Sequence, residues 1–172
     1  AYSMIFRTLF TYDGMVNNML LKFGLISEAI NWLNDPVYAK AVIIIGLVWR
    51  WTGYNMVFYL SAMQSIDYSI YEAARIDGAN SYQQLMRITI PLLRPIILVT
   101  AIMSTNGTLQ LFDESVNLTR GGPGNMTITM SHYIYNTMFT KNPNFGSAAM
   151  SFVILVMVAV LAAIQMKVGD KR

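Results

Sequence analysis

The chain has 172 residues, 55% of them hydrophobic and 12% charged, with a formal net charge of +3 and a mean hydropathy of +0.43. Soluble domains carry about 25% charged residues, so half that charge, set between long apolar runs, points to a bilayer as the solvent. The lack of cysteine excludes a disulfide framework or thiolate metal site, the single histidine, His132, argues against a histidine-based metal or proton-relay centre, and no basic stripe with interleaved aromatics offers itself to nucleic acid.

Ala1 already lies in an apolar stretch, without the basic n-region or cleavage site of a secretory signal. Residues 1–12 read as the end of a span, with at least one more span expected upstream. A mixed segment follows, holding Gly14, Asn17, Asn18, Lys22, Glu28, Asn31, Asn34, Asp35 and Pro36. It predicts a short amphipathic helix at the interface and then a turn at Asn34-Asp35-Pro36. Trp32, Trp49 and Trp51 include plausible interfacial anchors, although the last two flank Arg50 deep in a span. Three long apolar runs come next: 41–63, interrupted only by Arg50, then 95–112 and 145–166, both free of charge. At 1.5 Å per residue each is long enough to cross a hydrocarbon core of about 30 Å. The fold class expected is therefore all-α, a polytopic membrane helix bundle.

Lys and Arg in the connections set the orientation. Residues 64–94 hold Arg75, Arg87 and Arg94, and the tail holds Lys167, Lys171 and Arg172. The other side has Lys22, Lys40, Arg120 and Lys141 spread over longer loops. Segment 64–94 and the C-terminus are expected in the cytoplasm, and loop 113–144 outside.

The cytoplasmic segment carries two helix patterns. Ser69 and Glu72 have capping-box spacing, with Asp67 an alternative N-cap. Ile66, Ile70, Ala73 and Ala74 recur at helical spacing, and Gly78 supplies the left-handed residue that ends the helix. Ser81 and Gln84 repeat the capping-box spacing, and Pro91 and Pro95 mark re-entry to the membrane. Two short helices joined at a glycine make a rigid knob whose alanines allow close approach by a partner. Physics alone reads it equally well as a solvated connector.

The run Glu72-Ala73-Ala74-Arg75-Ile76-Asp77-Gly78-Ala79, with Ile90-Pro91 a dozen residues on, closely resembles the EAA loop of binding-protein-dependent ABC importer permeases. Leu60 to Ile66 resembles the lead-in to that loop. Phe112-Asp113 and Leu118-Thr119-Arg120-Gly121-Gly122-Pro123 resemble the external segment of the sugar permeases, and Tyr133-Ile134-Tyr135, Phe139 and Gly146 to Ala149 continue the match. Asp67 stands where many members have proline; either residue can begin a helix.

The resemblance implies a multi-pass protein of a prokaryotic cell membrane, embedded in lipid, that performs no bond chemistry and binds no cofactor. ATP would be bound by a separate ATP-binding subunit, present in two copies. Glu72, Ala73, Ala74, Arg75, Asp77 and Gly78 would contact that subunit, with Glu72 pairing charge and Gly78 enforcing the turn. A second permease subunit and an extracellular solute-binding protein would meet the opposite face. The cargo implied is a carbohydrate, an oligosaccharide above all, with glycerol-3-phosphate the closest rival among other small solutes.

For the solute path, Ser104, Thr108, Asn106 and Gln110 place uncharged polar groups in or near the second full span, where they need partners. Asn106 and Gln110 are four apart, with Asp113 two turns from Asn106, so all three are expected on one helical face. Bonding to neighbouring helices is the plainer reading of each. Arg50 would be costly facing lipid and is expected in a structural ion pair, with Asp113 or Glu114, or in a subunit contact. An intramembrane enzyme would need a nucleophile and base, or a metal cluster, within the spans; the carboxylates lie in loops and at span ends instead.

Overall fold

The computed structural model describes residues 2–140 and 145–169; the expectations placed on Ala1, Lys141, Lys171 and Arg172 lie outside the described residues. Among the described residues all the regular structure is helical, with no strand. In chain order the helices are α1 (Tyr2–Leu9), α2 (Met15–Lys22), α3 (Pro36–Gln64), α4 (Tyr68–Ile76), α5 (Ser81–Gln84), α6 (Ile90–Leu109), α7 (Asp113–Asn117), α8 (Met130–Tyr135) and α9 (Phe145–Gly169), with π-helical turns at Leu85–Thr89 and Asn136–Thr140. Helix α3, the helical stretch Ser81–Leu109 and Gly146–Gly169 are long and apolar enough to cross a membrane.

The span boundaries differ from the apolar runs, for local reasons. Helix α3 starts five residues before the run, because Pro36 suits a first helical position and the Asp35 carboxylate accepts from the backbone N–H of Val37 at 2.8 Å and Tyr38 at 3.1 Å. Its 29 residues make about 43 Å at 1.5 Å each. The second span is continuous with α5 through the π-helical turn. Pro91 has no N–H for the Arg87 carbonyl, and the helix widens there, the Ile90 N–H reaching the Leu85 carbonyl. This span ends at Leu109, three residues short of the run, because Leu111 turns into a core.

The chain forms two compact units, Ala1–Arg50 with Gly107–Met157 and Trp51–Asn106 with Val158–Arg172. In the first, Phe10, Val42, Ile43, Leu111 and Leu118 form the core, with Phe6, Leu9, Val16, Trp32, Leu33 and Leu47 packed on it. Phe10 meets Trp32 edge to face at 5.6 Å. Trp32 is thus a packing residue, and its indole Nε1 donates to Asn17 at 2.8 Å.

In the second unit the helices are joined by hydroxyl, amide and thioether groups. The Tyr59 and Thr100 hydroxyls lie 3.0 Å apart, the Tyr54 hydroxyl is 3.4 Å from the Met103 sulfur, and Ser104 donates to Asn55 at 3.3 Å. Gln165 Nε2 donates to Thr105 Oγ1 at 2.9 Å. In an apolar surround such bonds satisfy groups that water cannot reach.

Candidate functional site

Helix α4 is closed at both ends by its own sequence. Asp67 is its N-cap: the carboxylate accepts from the Ser69 N–H at 2.9 Å. That backbone bond, helped by the Ser69 side chain, holds the Asp67 carboxyl below its ordinary range. The alternative cap thus takes the place of the Ser69–Glu72 box. At the other end Gly78 has φ +80°, its N–H bonds to the Arg75 carbonyl at 3.0 Å, and the Ala79 N–H bonds to the Ala74 carbonyl at 2.9 Å. This is a Schellman motif, and it needs a left-handed residue at position 78.

The second knob helix starts one residue earlier than the Ser81–Gln84 spacing predicts. Asn80 and Gln83 form a reciprocal capping box, each side-chain oxygen accepting the other's backbone N–H at 2.9 Å. Asn is as good an N-cap as Ser, and the glutamine three positions after it completes the box. Gln84 is released to donate its amide to the Ala79 carbonyl at 2.9 Å, tying the second helix to the turn after the first.

Of the apolar positions on α4, Ile70 and Ala73 are exposed, and Tyr71 and Ala74 are half-buried. Glu72, Ala73, Arg75, Asp77 and Gly78 are exposed and Ala74 is half-buried. Among the described residues Glu72, Arg75 and Asp77 form no ion pair with one another. Arg75 instead donates to the Tyr68 hydroxyl at 3.0 Å and lies over its ring at 5.5 Å. Ile76, which sequence reasoning left out of the site, is 87% exposed, and Tyr82 beyond the turn is 68% exposed. Their signal was present: apolar side chains on the same short segment as the charges.

A hydroxyl pair joins α4 to the π-helical turn at the base of the second span. The Tyr71 hydroxyl lies 2.9 Å from Thr89 Oγ1, and Thr89, in the π-helical turn, is 4% exposed. Thr89 donates to the Gln84 carbonyl at 3.4 Å, so the tyrosine is the donor in the bond between them.

The solute-path residues do not share one face. Ser104 is bonded to Asn55, and Asn106 is half-buried with a shielded Oδ1 that has no partner among the described residues. Thr108 stands exposed in the last turn of α6, Gln110 lies in the turn beyond it, and Asp113 is the first residue of α7. The face drawn through Asn106, Gln110 and Asp113 requires the helix to run on to residue 113, but α6 stops at Leu109. Burial of Leu111 against Phe10 and Val42 ends the helix first.

Arg50 pairs with Glu114, Nη1 to Oε1 at 2.8 Å. Burial pushes the Glu114 carboxyl above its ordinary range, while the guanidinium favours its charged form. The neighbouring loop is built on groups that sequence reasoning missed. Ser115 Oγ donates to the Thr127 carbonyl at 2.6 Å and lies 2.7 Å from His132 Nδ1. The serine proton is committed to a carbonyl, so His132 donates from Nδ1. Thr119 and Thr127 join hydroxyls at 2.7 Å. A Cβ on Gly121 would meet Ile128 at 2.7 Å and His132 at 3.1 Å, at φ +78°, so only glycine closes this loop without rearrangement.

The family model for binding-protein-dependent transport system inner membrane components matches residues 2–171. The lactose transport system permease protein of Rhizobium radiobacter is 55% identical, over 100% of this chain and 59% of its own length. The crystal structure of a bacterial ABC transporter involved in the import of the acidic polysaccharide alginate aligns with a TM-score of 0.84 at 26% identity, over 98% of this chain and 59% of that one. The structure of the bacterial alginate ABC transporter in complex with alginate pentasaccharide-bound periplasmic protein aligns with a TM-score of 0.71 at 26% identity, over 97% and 56%. The chain spans somewhat over half the length of these relatives. It belongs to the family of binding-protein-dependent transport system inner membrane components, as a multi-pass, all-α membrane protein.

Proposed function

We propose that this chain acts as the membrane-spanning permease of an ATP-driven importer that carries a carbohydrate, an oligosaccharide or disaccharide, into the cell. The observation that carries the reading is α4, capped by Asp67 and stopped by Gly78, which holds Ile76 out among Glu72, Arg75 and Asp77. An isoleucine so exposed beside charges is suited to insertion into a partner's pocket. The partner is a separate ATP-binding subunit in two copies, on the cytoplasmic side with residues 64–94. ATP closes the pair, the docked knob moves as a body, and the spans change the side to which they open. ATP is bound and hydrolysed by the partner, and this chain makes no covalent bond. A second permease subunit completes the path, and an extracellular solute-binding protein delivers cargo to the side of loop 113–144.

Carbohydrate as cargo is supported by the lactose and alginate relatives and by the uncharged Ser104, Asn106, Thr108 and Gln110. A phosphorylated solute would call for a free cation in the path, whereas Arg50 is engaged by Glu114.

The test is co-purification of the assembled transporter from its own membranes, with and without Gly78→Pro. Proline fixes φ near −65° and so cannot take the +80° of this position. The ATP-binding subunit is expected with the parent and lost from the variant, while the second permease is retained. Retention of the ATP-binding subunit by Gly78→Pro would refute the docking assignment.

A further inference from the structure

We propose that a cationic cavity on the loop side of the first unit receives an acidic side chain of the extracellular solute-binding protein. The inference rests on the proposed importer reading, which places loop 113–144 outside. The cavity, about 320 Å³, is lined by Met4, Arg7, Val116, Asn117, Arg120 and His132. Two arginines from separate elements, the last turn of α1 and the loop after α7, line it, and no carboxylate is among its lining residues. Among the described residues neither Arg7 nor Arg120 has an ion-pair or hydrogen-bond partner. Like charges gathered without a counter-ion call for an anion from outside.

Three features favour a protein carboxylate. Arg120 is held at φ +55°, a conformation that non-glycine residues adopt at a cost, in a loop pinned by Thr119, Thr127 and the close packing of Gly121. The cation is therefore presented by a rigid mount, as docking to a folded partner requires. Arg120 is exposed and Arg7 half-exposed, so both can be reached. A guanidinium fork matches the two oxygens of a carboxylate, and Asn117 adds a further polar residue to the lining.

The test measures binding of the transporter's own solute-loaded binding protein, added pure, to the assembled transporter in nanodiscs at several salt concentrations. The Arg7→Gln/Arg120→Gln double variant should bind at least tenfold more weakly and with a shallower salt dependence. Arg120→Gly removes the charge yet suits the positive φ, so it should weaken binding while the ATP-binding subunit still co-purifies. Amidating the surface carboxylates of the binding protein should reproduce the loss, with no further loss in the double variant. Unchanged affinity and salt dependence in the double variant overturn the inference, as does a variant that loses co-purified phospholipid but keeps full affinity. A parent transporter that does not bind the protein at all refutes the importer reading itself, and the inference with it.

Discussion

The bond between Tyr71 and Thr89 ties α4 to the π-helical turn, and Tyr71→Phe removes it without changing shape. No residue of α4 is buried, so the helix is held by its caps, by the chain at its ends and by this hydroxyl. Thr89 Oγ1 keeps its own bond to the Gln84 carbonyl, and the variant costs it only the bond it accepts. A hydrogen bond of this kind contributes about 1 kcal/mol net, and a buried group left short costs about 1–3 kcal/mol. Because one lone pair rather than a proton is orphaned, the lower end applies, about 1 kcal/mol, or roughly a fivefold rise in local opening. Hydrogen exchange of peptides covering residues 68–84 in the assembled transporter reads this directly. Thr89→Val should raise exchange by less, since the half-buried Tyr71 hydroxyl can turn to water. Adding Thr89→Val to Tyr71→Phe should cost only what the Gln84 bond contributed, so the double variant should lose less than the sum of the two single variants. If the knob transmits motion through this bond, Tyr71→Phe should also lower solute moved per ATP hydrolysed while the ATP-binding subunit stays docked. Unchanged exchange over 68–84, or two substitutions whose effects simply add, would refute the reasoning.

Two further outcomes follow from the first unit. Asn17, 1% exposed, gives its amide to the Tyr12 and Ile30 carbonyls and takes the Ile30 N–H and the Trp32 indole N–H on its oxygen; Asn17→Ala should cost roughly 3 kcal/mol or more by leaving several of these unpaired, read as a loss of thermal stability of the purified transporter, and Asn17→Asp should not restore it, because its second oxygen faces two carbonyls. Burial holds His132 below its ordinary value of 6.5, so the unfolded chain takes up a proton first and the loop's stability, full above pH 6.5, is lost as pH falls through the folded value. Protease cleavage within 118–132 should rise from pH 7 to pH 5, and His132→Asn, which keeps a donor at the Nδ1 position, should flatten that rise. Glu114, raised by burial, works in the opposite direction, so the difference between parent and variant isolates the histidine.

The features that could be read from the sequence are those whose cause lies within a few residues. Gly78 ends α4 because a residue without Cβ takes the left-handed φ of a Schellman turn at no steric cost, and Pro36 opens α3 because the aspartate before it caps the helix. The sequence alone does not separate Asn80 from Ser81, because both offer a polar cap with a glutamine three residues later. Only the position of the preceding left-handed turn, which uses Ala79 to close the Schellman motif, selects between them. The spans were readable for the same reason: their signal is composition, summed locally over some twenty residues.

What could not be read is set by partners far along the chain. Asn17 looks like one polar residue among many until Ile30 and Trp32 come to it. Ser115 meets His132 seventeen residues away, and Glu114 meets Arg50 across sixty-four. The same separation undid the expected polar face. Its 3.6-residue period was correct as far as Leu109, but whether the helix continues depends on where Leu111 finds its core, and that core is made by Phe10, Val42, Ile43 and Leu118. A helical period therefore assigns a face only inside a helix whose end has been fixed independently. Of the polar residues once grouped on the second span, Asn106 is left with a shielded oxygen that its neighbours do not satisfy. In an apolar surround such an oxygen calls for a donor.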